Sequence, residues 1–110
     1  MTKQEIASRL LALPKEIAAA EDAVLSANSQ LVQAKEVLQK KEDDVLLGNL
    51  IDGKNAEIRA AQMRQHTELE REDLSEAELK LRNAAVRLGK LKDELGALQA
   101  FSRLLHGGAA

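Results

Sequence analysis

The segment GNLIDGKN, residues 48–55, is the part of the chain that most resembles a ligand-binding motif. Gly48, four further residues, Gly53 and Lys54 fit the core of a phosphate-binding loop, G-x-x-x-x-G-K. Asn55 stands where that loop needs a Ser or Thr hydroxyl for Mg²⁺. The charged stretch QKKEDDVLL precedes Gly48, where the motif needs a buried strand. We therefore predict no nucleotide site, although Lys54 and free amides at a helix start leave a weaker anion site open.

Other residue types that do chemistry are few and scattered. The chain has no cysteine, so it has no disulfide and no thiolate metal site. His66 and His106 are far apart, and Glu70, four residues after His66, makes a pairing more typical of a helix surface. The carboxylates of 42–44 and 70–73 would bind a divalent ion only if oligomerisation gathered them. We expect no catalytic residues, no metal and no cofactor, and hence no enzyme.

The composition predicts an all-α protein. Ala and Leu dominate the apolar residues, charged residues make up 31%, and Phe101 is the single aromatic residue. These side chains lose little rotamer freedom in helices, whereas a sheet needs more β-branched and aromatic residues. A net charge of −2 with interspersed signs creates no long-range field for nucleic acid or membrane. Without a signal sequence or an apolar span, we expect a soluble, cytoplasmic protein.

Two arms of heptad repeats must position any site. Large residues recur every seventh position from Leu10 to Val45, and mostly Ala occupies the positions three residues later. Leu25, Val32 and Leu46 lie beside this seam and widen its apolar face. The second arm repeats the pattern from Leu74, with the companion column Ala77, Ala84, Leu91, Leu98 and Leu105. Coiled-coil helices are predicted for both arms.

The arms should fold back on each other as one antiparallel helical hairpin over 1–110. Arm 1 is predicted over 15–47, the turn over 48–54 and arm 2 over 55–106. The turn is placed there because Gly48 suits a left-handed helix cap and Asp52-Gly53 suits a turn. Pro14 is expected to break or kink the chain, which would make residues 2–13 a separate short helix. The closing GGAA is expected to fray.

Two alternatives describe arm 2. The sequence of 55–73 runs out of phase with the Leu74 register, and Thr67, Asp73 and Ser75 each precede a Glu as in a capping box. We favour one continuous or kinked helix. The other alternative is a tip helix over about 54–66 and a second arm from Thr67, which pairs Val24 with Leu95 and Leu38 with Leu81.

The apolar surface exceeds what one hairpin buries. Leu79 and Val86 lie outside the second seam, and so do Gly89 and Gly96, which are one heptad apart. Each mid-helix glycine costs about 0.5–1 kcal/mol relative to Ala, so the pair suggests the close approach of another helix. The plain alternative is two glycines tolerated on a stable helix. We predict a homo-oligomer, most simply a dimer that forms a four-helix bundle.

The candidate binding residues lie at the tip, in DGKNAEIRAAQMRQHT. Lys54, Arg59 and Arg64 outnumber Asp52 and Glu57, so the tip is slightly basic. With Asn55, they would touch the acidic face of a protein partner or a nucleic-acid backbone. No aromatic platform is present for stacking bases. A solvated turn and helix start is the equally weighted alternative.

The segment IDGKNAEIRAAQMRQHTELERE, about a fifth of the chain, resembles a segment of small uncharacterised helical proteins of phages and prophages. In these, a G-K-N-A-E-x-R-x-A-Q stretch follows a first heptad helix and precedes Thr-x-x-Glu, as Gly53, Asn55, Arg59, Gln62 and Thr67 do here. The resemblance implies a phage accessory protein in a bacterial host, near replication, recombination or anti-host functions, with no known active site.

The sequence therefore predicts a non-catalytic, oligomeric coiled-coil scaffold or adaptor that binds an unidentified protein partner. The alternative is a DNA-binding accessory factor of phage replication or recombination that uses the basic tip. No membrane partner is expected.

Overall fold

The computed structural model describes residues 1–107. They form three α-helices, α1 (Lys3–Leu47), α2 (Ala56–His66) and α3 (Glu68–Gly107), and no strand occurs within that range. The all-α prediction is confirmed. The fraying expected of the last residues concerns 108–110, which lie outside the described residues. The chain divides into two compact units, unit 1 (residues 1–26 and 82–110) and unit 2 (residues 27–81).

Helix α1 passes through Pro14 without ending, so the expected break there is wrong. A proline inside a helix removes one backbone hydrogen bond and costs about 3 kcal/mol. Burial on both sides of Pro14 offsets this cost, because Ile6, Leu13 and Ala20 are all buried on one face. Thr2 caps the helix, since its Oγ1 accepts from the backbone N–H of Glu5 at 3.1 Å. Arm 1 thus begins at Lys3, earlier than the predicted residue 15.

The core of unit 1 forms where α1 packs on α3. Leu13, Ala20 and Leu91 make a buried cluster, and half-buried side chains from both predicted heptad columns pack against it: Ile17, Leu88, Leu95 and Leu98. Near the start of α1, Ile6 and Leu10 line a small cavity together with Ser102 and Leu105. Within unit 1, α1 and α3 therefore run antiparallel.

One flank of unit 1 is held by an ionic cluster. Glu94 accepts two hydrogen bonds from Arg9, from Nε at 2.6 Å and from Nη2 at 2.8 Å. Arg9 also pairs with Glu16, seven residues further along the same helix. The hydrogen bond from Arg9 lowers the pKa of the Glu94 carboxyl, and the same contact raises the pKa of the guanidinium. The cluster fixes the relative register of α1 and α3 in this unit.

Unit 2 keeps the predicted seam but not the predicted pairing. Ala27, Val45 and Ala77, all seam positions, are buried. The Nζ of Lys80 donates to Oε1 of Gln30 at 2.9 Å, whereas the pairing of Leu38 with Leu81 would place Lys80 opposite residues near 39. The pairing offered with the two-helix alternative is therefore wrong.

Candidate interaction surface at the loop and helix α2

The loop after α1 begins with a cap that uses Asn49 rather than the predicted Gly48. Asn49 has a φ of 58°, and no described glycine has a positive φ. The N–H of Leu50 donates to the carbonyl of Val45 and that of Asn49 to Leu46, both at 3.2 Å. These two backbone hydrogen bonds, from the sixth residue to the first and from the fifth to the second, make a Schellman motif. Asparagine tolerates the left-handed position of this motif because its short polar side chain can form local hydrogen bonds.

A side chain from α2 holds the middle of the loop. The Oε1 of Gln62 accepts from the backbone N–H groups of Asp52 and Gly53, at 3.1 and 2.9 Å. Its Nε2 donates in return to Oδ1 of Asp52 at 2.6 Å. These three hydrogen bonds fasten the loop to the second turn of the helix that follows it. Gln62 was not among the predicted site residues, although it lies within the resembling segment.

The start of α2 is capped by Asn55. The backbone N–H of Ile58 donates to Oδ1 of Asn55 at 2.9 Å. Arg59 also turns inward, because its Nη1 donates to the carbonyl of Gly53 at 3.2 Å. The amides of residues 52, 53 and 58 thus already have acceptors within the chain. This weakens the anion-site alternative, and the long helix before Gly48 excludes the strand that a phosphate-binding loop requires.

Glycine is required at position 53 because a side chain would collide with α2, and not because of its backbone angle. An added Cβ would lie 2.6 Å from Cγ2 of Ile58, 3.0 Å from the backbone N of Arg59 and 3.0 Å from Oε1 of Gln62. A methyl group cannot approach a helix backbone so closely without displacing one of the two. The glycine therefore permits α2 to fold tightly back against the loop.

The predicted basic residues do not converge on one basic patch. Lys54 is exposed, and no hydrogen bond or ion pair of its side chain is found within residues 1–107. Arg59 is bound to the loop carbonyl next to it. Arg64 lines a groove together with Arg71 and three glutamates, Glu68, Glu72 and Glu76. Unit 2 as a whole has twelve acidic and eight basic residues, so its charge is negative.

Thr67 separates α2 from α3, at a place where one continuous or kinked helix was favoured. Its backbone, with φ −117° and ψ 20°, leaves the helical region, and its side chain is fully buried. The hydroxyl donates to the carbonyl of Met63 at 2.8 Å and accepts from Nε of Arg71 at 3.0 Å. The backbone N–H of Thr67 still donates to the carbonyl of Met63, and the backbone N–H of Arg71 donates to the carbonyl of Thr67. The break is thus confined to one residue.

The residues predicted for self-association are turned away from the seam. In unit 2, Leu79 is exposed, and in unit 1 Val86 is exposed as well. A Cβ added at Gly89 or Gly96 would meet no atom within 4 Å. Packing within the chain therefore does not require either glycine, and both leave room on the surface of α3.

The described residues 1–107 contain no group of three or more metal-binding side chains. None of the helices in this range combines the length and the apolar character that crossing a membrane requires. The sequence matches no protein-family model, no curated protein and no solved structure.

Proposed function

We propose that this protein is a non-catalytic, homo-oligomeric scaffold or adaptor of the coiled-coil type. In it, α1 and α3 form an antiparallel helical hairpin, and two or more hairpins associate into a helical bundle. Its loop and α2 bind a protein partner in the bacterial cytoplasm. The phage or prophage setting rests on the resemblance of residues 51–72 alone.

The observation that carries this proposal is the exposure of large apolar side chains at heptad spacing. Leu25, Val32 and Leu46 are exposed on α1 at intervals of seven or fourteen residues, and Leu79 and Val86 are exposed on α3 seven residues apart. Scattered apolar residues on a surface need no explanation, but apolar stripes along helices are typical of faces that pack on another helix.

The charges favour a protein over DNA as the partner of the loop and α2. DNA binding requires basic groups that can neutralise several phosphates. In unit 2, Arg59 is engaged with Gly53, Arg64 and Arg71 share a groove with three glutamates, and acidic residues outnumber basic ones. Lys54 has no hydrogen bond or ion pair within residues 1–107, which leaves it available for one contact with an acidic residue of a protein.

Sedimentation equilibrium tests the oligomer. We expect association in the micromolar range, and a stable monomer at high micromolar concentration would refute it. A salt titration with single- and double-stranded DNA tests the alternative. We expect no binding even at low salt, because the basic residues are dispersed; tight binding that weakens steeply with salt would favour the DNA-binding function instead.

Affinity capture from phage-infected and uninfected bacterial lysate tests the adaptor function. Lys54→Ala should lose a protein that the wild type retains, whereas Lys35→Ala, an exposed lysine of α1 in the same unit, should keep it. Arg59→Ala would confound the result because it also removes the bond to Gly53. A partner that binds every variant equally would show that Lys54 has no role.

A further inference from the structure

Asp52 and Gly53 form the one Asp–Gly pair in the chain. In such a pair the backbone nitrogen of the glycine can attack the side-chain carboxyl of the aspartate, because the glycine has no side chain that blocks the approach. Asp52 lies in the loop between α1 and α2 and is exposed. The other aspartates all lie inside α1 or α3, where the helix fixes the backbone, and each precedes a residue with a side chain: Asp22, Asp43, Asp44, Asp73 and Asp93.

Gln62 engages both groups that would react. Its Oε1 accepts from the N–H of Gly53 at 2.9 Å, and its Nε2 donates to Oδ1 of Asp52 at 2.6 Å. The same Oε1 also accepts from the N–H of Asp52 at 3.1 Å. Attack requires the glycine nitrogen to lose its proton and to reach Cγ of Asp52. Both groups must therefore leave Gln62 first, which happens when the loop opens locally from α2.

We propose that Asp52–Gly53 is a site of isoaspartate formation that Gln62 holds closed, so that the modification follows the opening of the loop from α2. The nitrogen of Gly53 bonds to Cγ of the protonated Asp52 carboxyl, its proton goes to the departing hydroxyl, and one water leaves. The cyclic succinimide then takes up one water at either of its two carbonyls. Addition at one carbonyl returns aspartate, and addition at the other gives isoaspartate, so the reaction needs no reagent besides water.

Isoaspartate changes the loop without changing its net charge. The main chain then runs through the former side-chain methylene, and the carboxylate is attached directly to Cα. The extra methylene separates the two N–H groups that Oε1 of Gln62 accepts from, so these contacts do not re-form as they were. Lys54 follows directly in the chain, and the modification therefore alters the surface that the loop and α2 present.

Gln62→Met tests the role of Gln62, because methionine keeps the length and the helix preference of the side chain and removes all three hydrogen bonds. At physiological temperature and neutral pH, this variant should form isoaspartate at residue 52 about 5- to 100-fold faster than wild type, since the open loop becomes more populated. Gln65→Met, at an exposed glutamine of the same helix outside this hydrogen-bonded group, should react at the wild-type rate. Enzymatic methylation of isoaspartate gives the rate, and peptide mapping locates the residue.

Two references make the result decisive. Wild type unfolded in urea gives the rate of the unprotected pair, and folded wild type should react at least about tenfold more slowly. Asp52→Glu combined with Gln62→Met should abolish the signal, because the longer side chain closes the ring far more slowly. Helical circular dichroism of Gln62→Met should match that of wild type, which shows that the loop and not the whole chain has opened. Equal rates for folded and unfolded wild type would overturn the protection, and equal rates for Gln62→Met and wild type would overturn the role of Gln62.

Discussion

Gly53→Ala tests whether the loop depends on the close approach of α2. The new methyl group would lie 2.6 Å from Ile58 and 3.0 Å from the backbone of Arg59. Overpacking of this kind costs about 1–3 kcal/mol. The methyl group also displaces the carboxamide of Gln62, and each of its two bonds to the loop amides contributes about 0.5–1.5 kcal/mol.

A smaller effect acts in the opposite direction. No described glycine has a positive φ, so alanine can adopt the backbone of Gly53 and reduces the entropy of the unfolded chain. That effect stabilises by about 0.4–1 kcal/mol. The net expectation for Gly53→Ala is a loss of roughly 2 kcal/mol in the free energy of unfolding.

Urea unfolding followed by circular dichroism measures this loss. All variants are compared at one protein concentration, because self-association adds to apparent stability. Lys54→Ala, at the neighbouring exposed position, is the control and should change stability by less than about 0.5 kcal/mol. Ile58→Ala removes the shortest contact, so the double variant should recover part of the loss. Equal stability of Gly53→Ala and Lys54→Ala would refute the packing argument.

Four further substitutions probe the caps, the break, the ion pair and the proline. Asn55→Ala should cost about 1 kcal/mol in urea unfolding, because it removes the cap of α2. Thr67→Val should cost about 0.5–1.5 kcal/mol in the same assay, since it removes the hydrogen bonds of the hydroxyl to the Met63 carbonyl and from Arg71. Glu94 has a lowered pKa when folded, so its stabilising effect is present above its unfolded value of 4.5 and is lost as the pH falls through the folded value. The melting temperature of wild type should therefore fall more steeply below pH 4.5 than that of Glu94→Gln. Pro14→Ala should raise the melting temperature, because it restores a helix hydrogen bond.

Matched variants separate these effects from general damage. Asn55→Asp and Thr67→Ser keep the hydrogen-bonding oxygen and should retain most of the stability, and Asp93→Asn should keep the wild-type acid response. A Thr67→Val protein as stable as wild type would show that the hydroxyl does not hold the break. Parallel acid profiles for wild type and Glu94→Gln would contradict the role of the ion pair. An unchanged or lower melting temperature for Pro14→Ala would show that the proline costs α1 nothing.

The periodicity of the sequence determined where the seams of the helices lie. Leu13, Ala20, Ala27 and Val45 lie in the predicted columns and are all buried. This succeeds because side chains seven residues apart share one face of a helix, so the pattern of apolar residues already specifies the seam. The cap at Asn55 follows in the same way from local chemistry, since its partner is only three residues away.

Tertiary packing decided what the sequence left open or suggested wrongly. Pro14 predicts a break by its own chemistry, but the buried residues before and after it keep α1 continuous. Register is equally non-local, because a heptad seam is satisfied by several pairings, and the ion pair between Arg9 and Glu94 selects one in unit 1. Gln62 acts on residues nine and ten positions earlier, which no capping pattern reveals. The tip that sequence alone presents as a basic patch is in the folded chain mainly a loop held by its own hydrogen bonds, one of which engages Arg59.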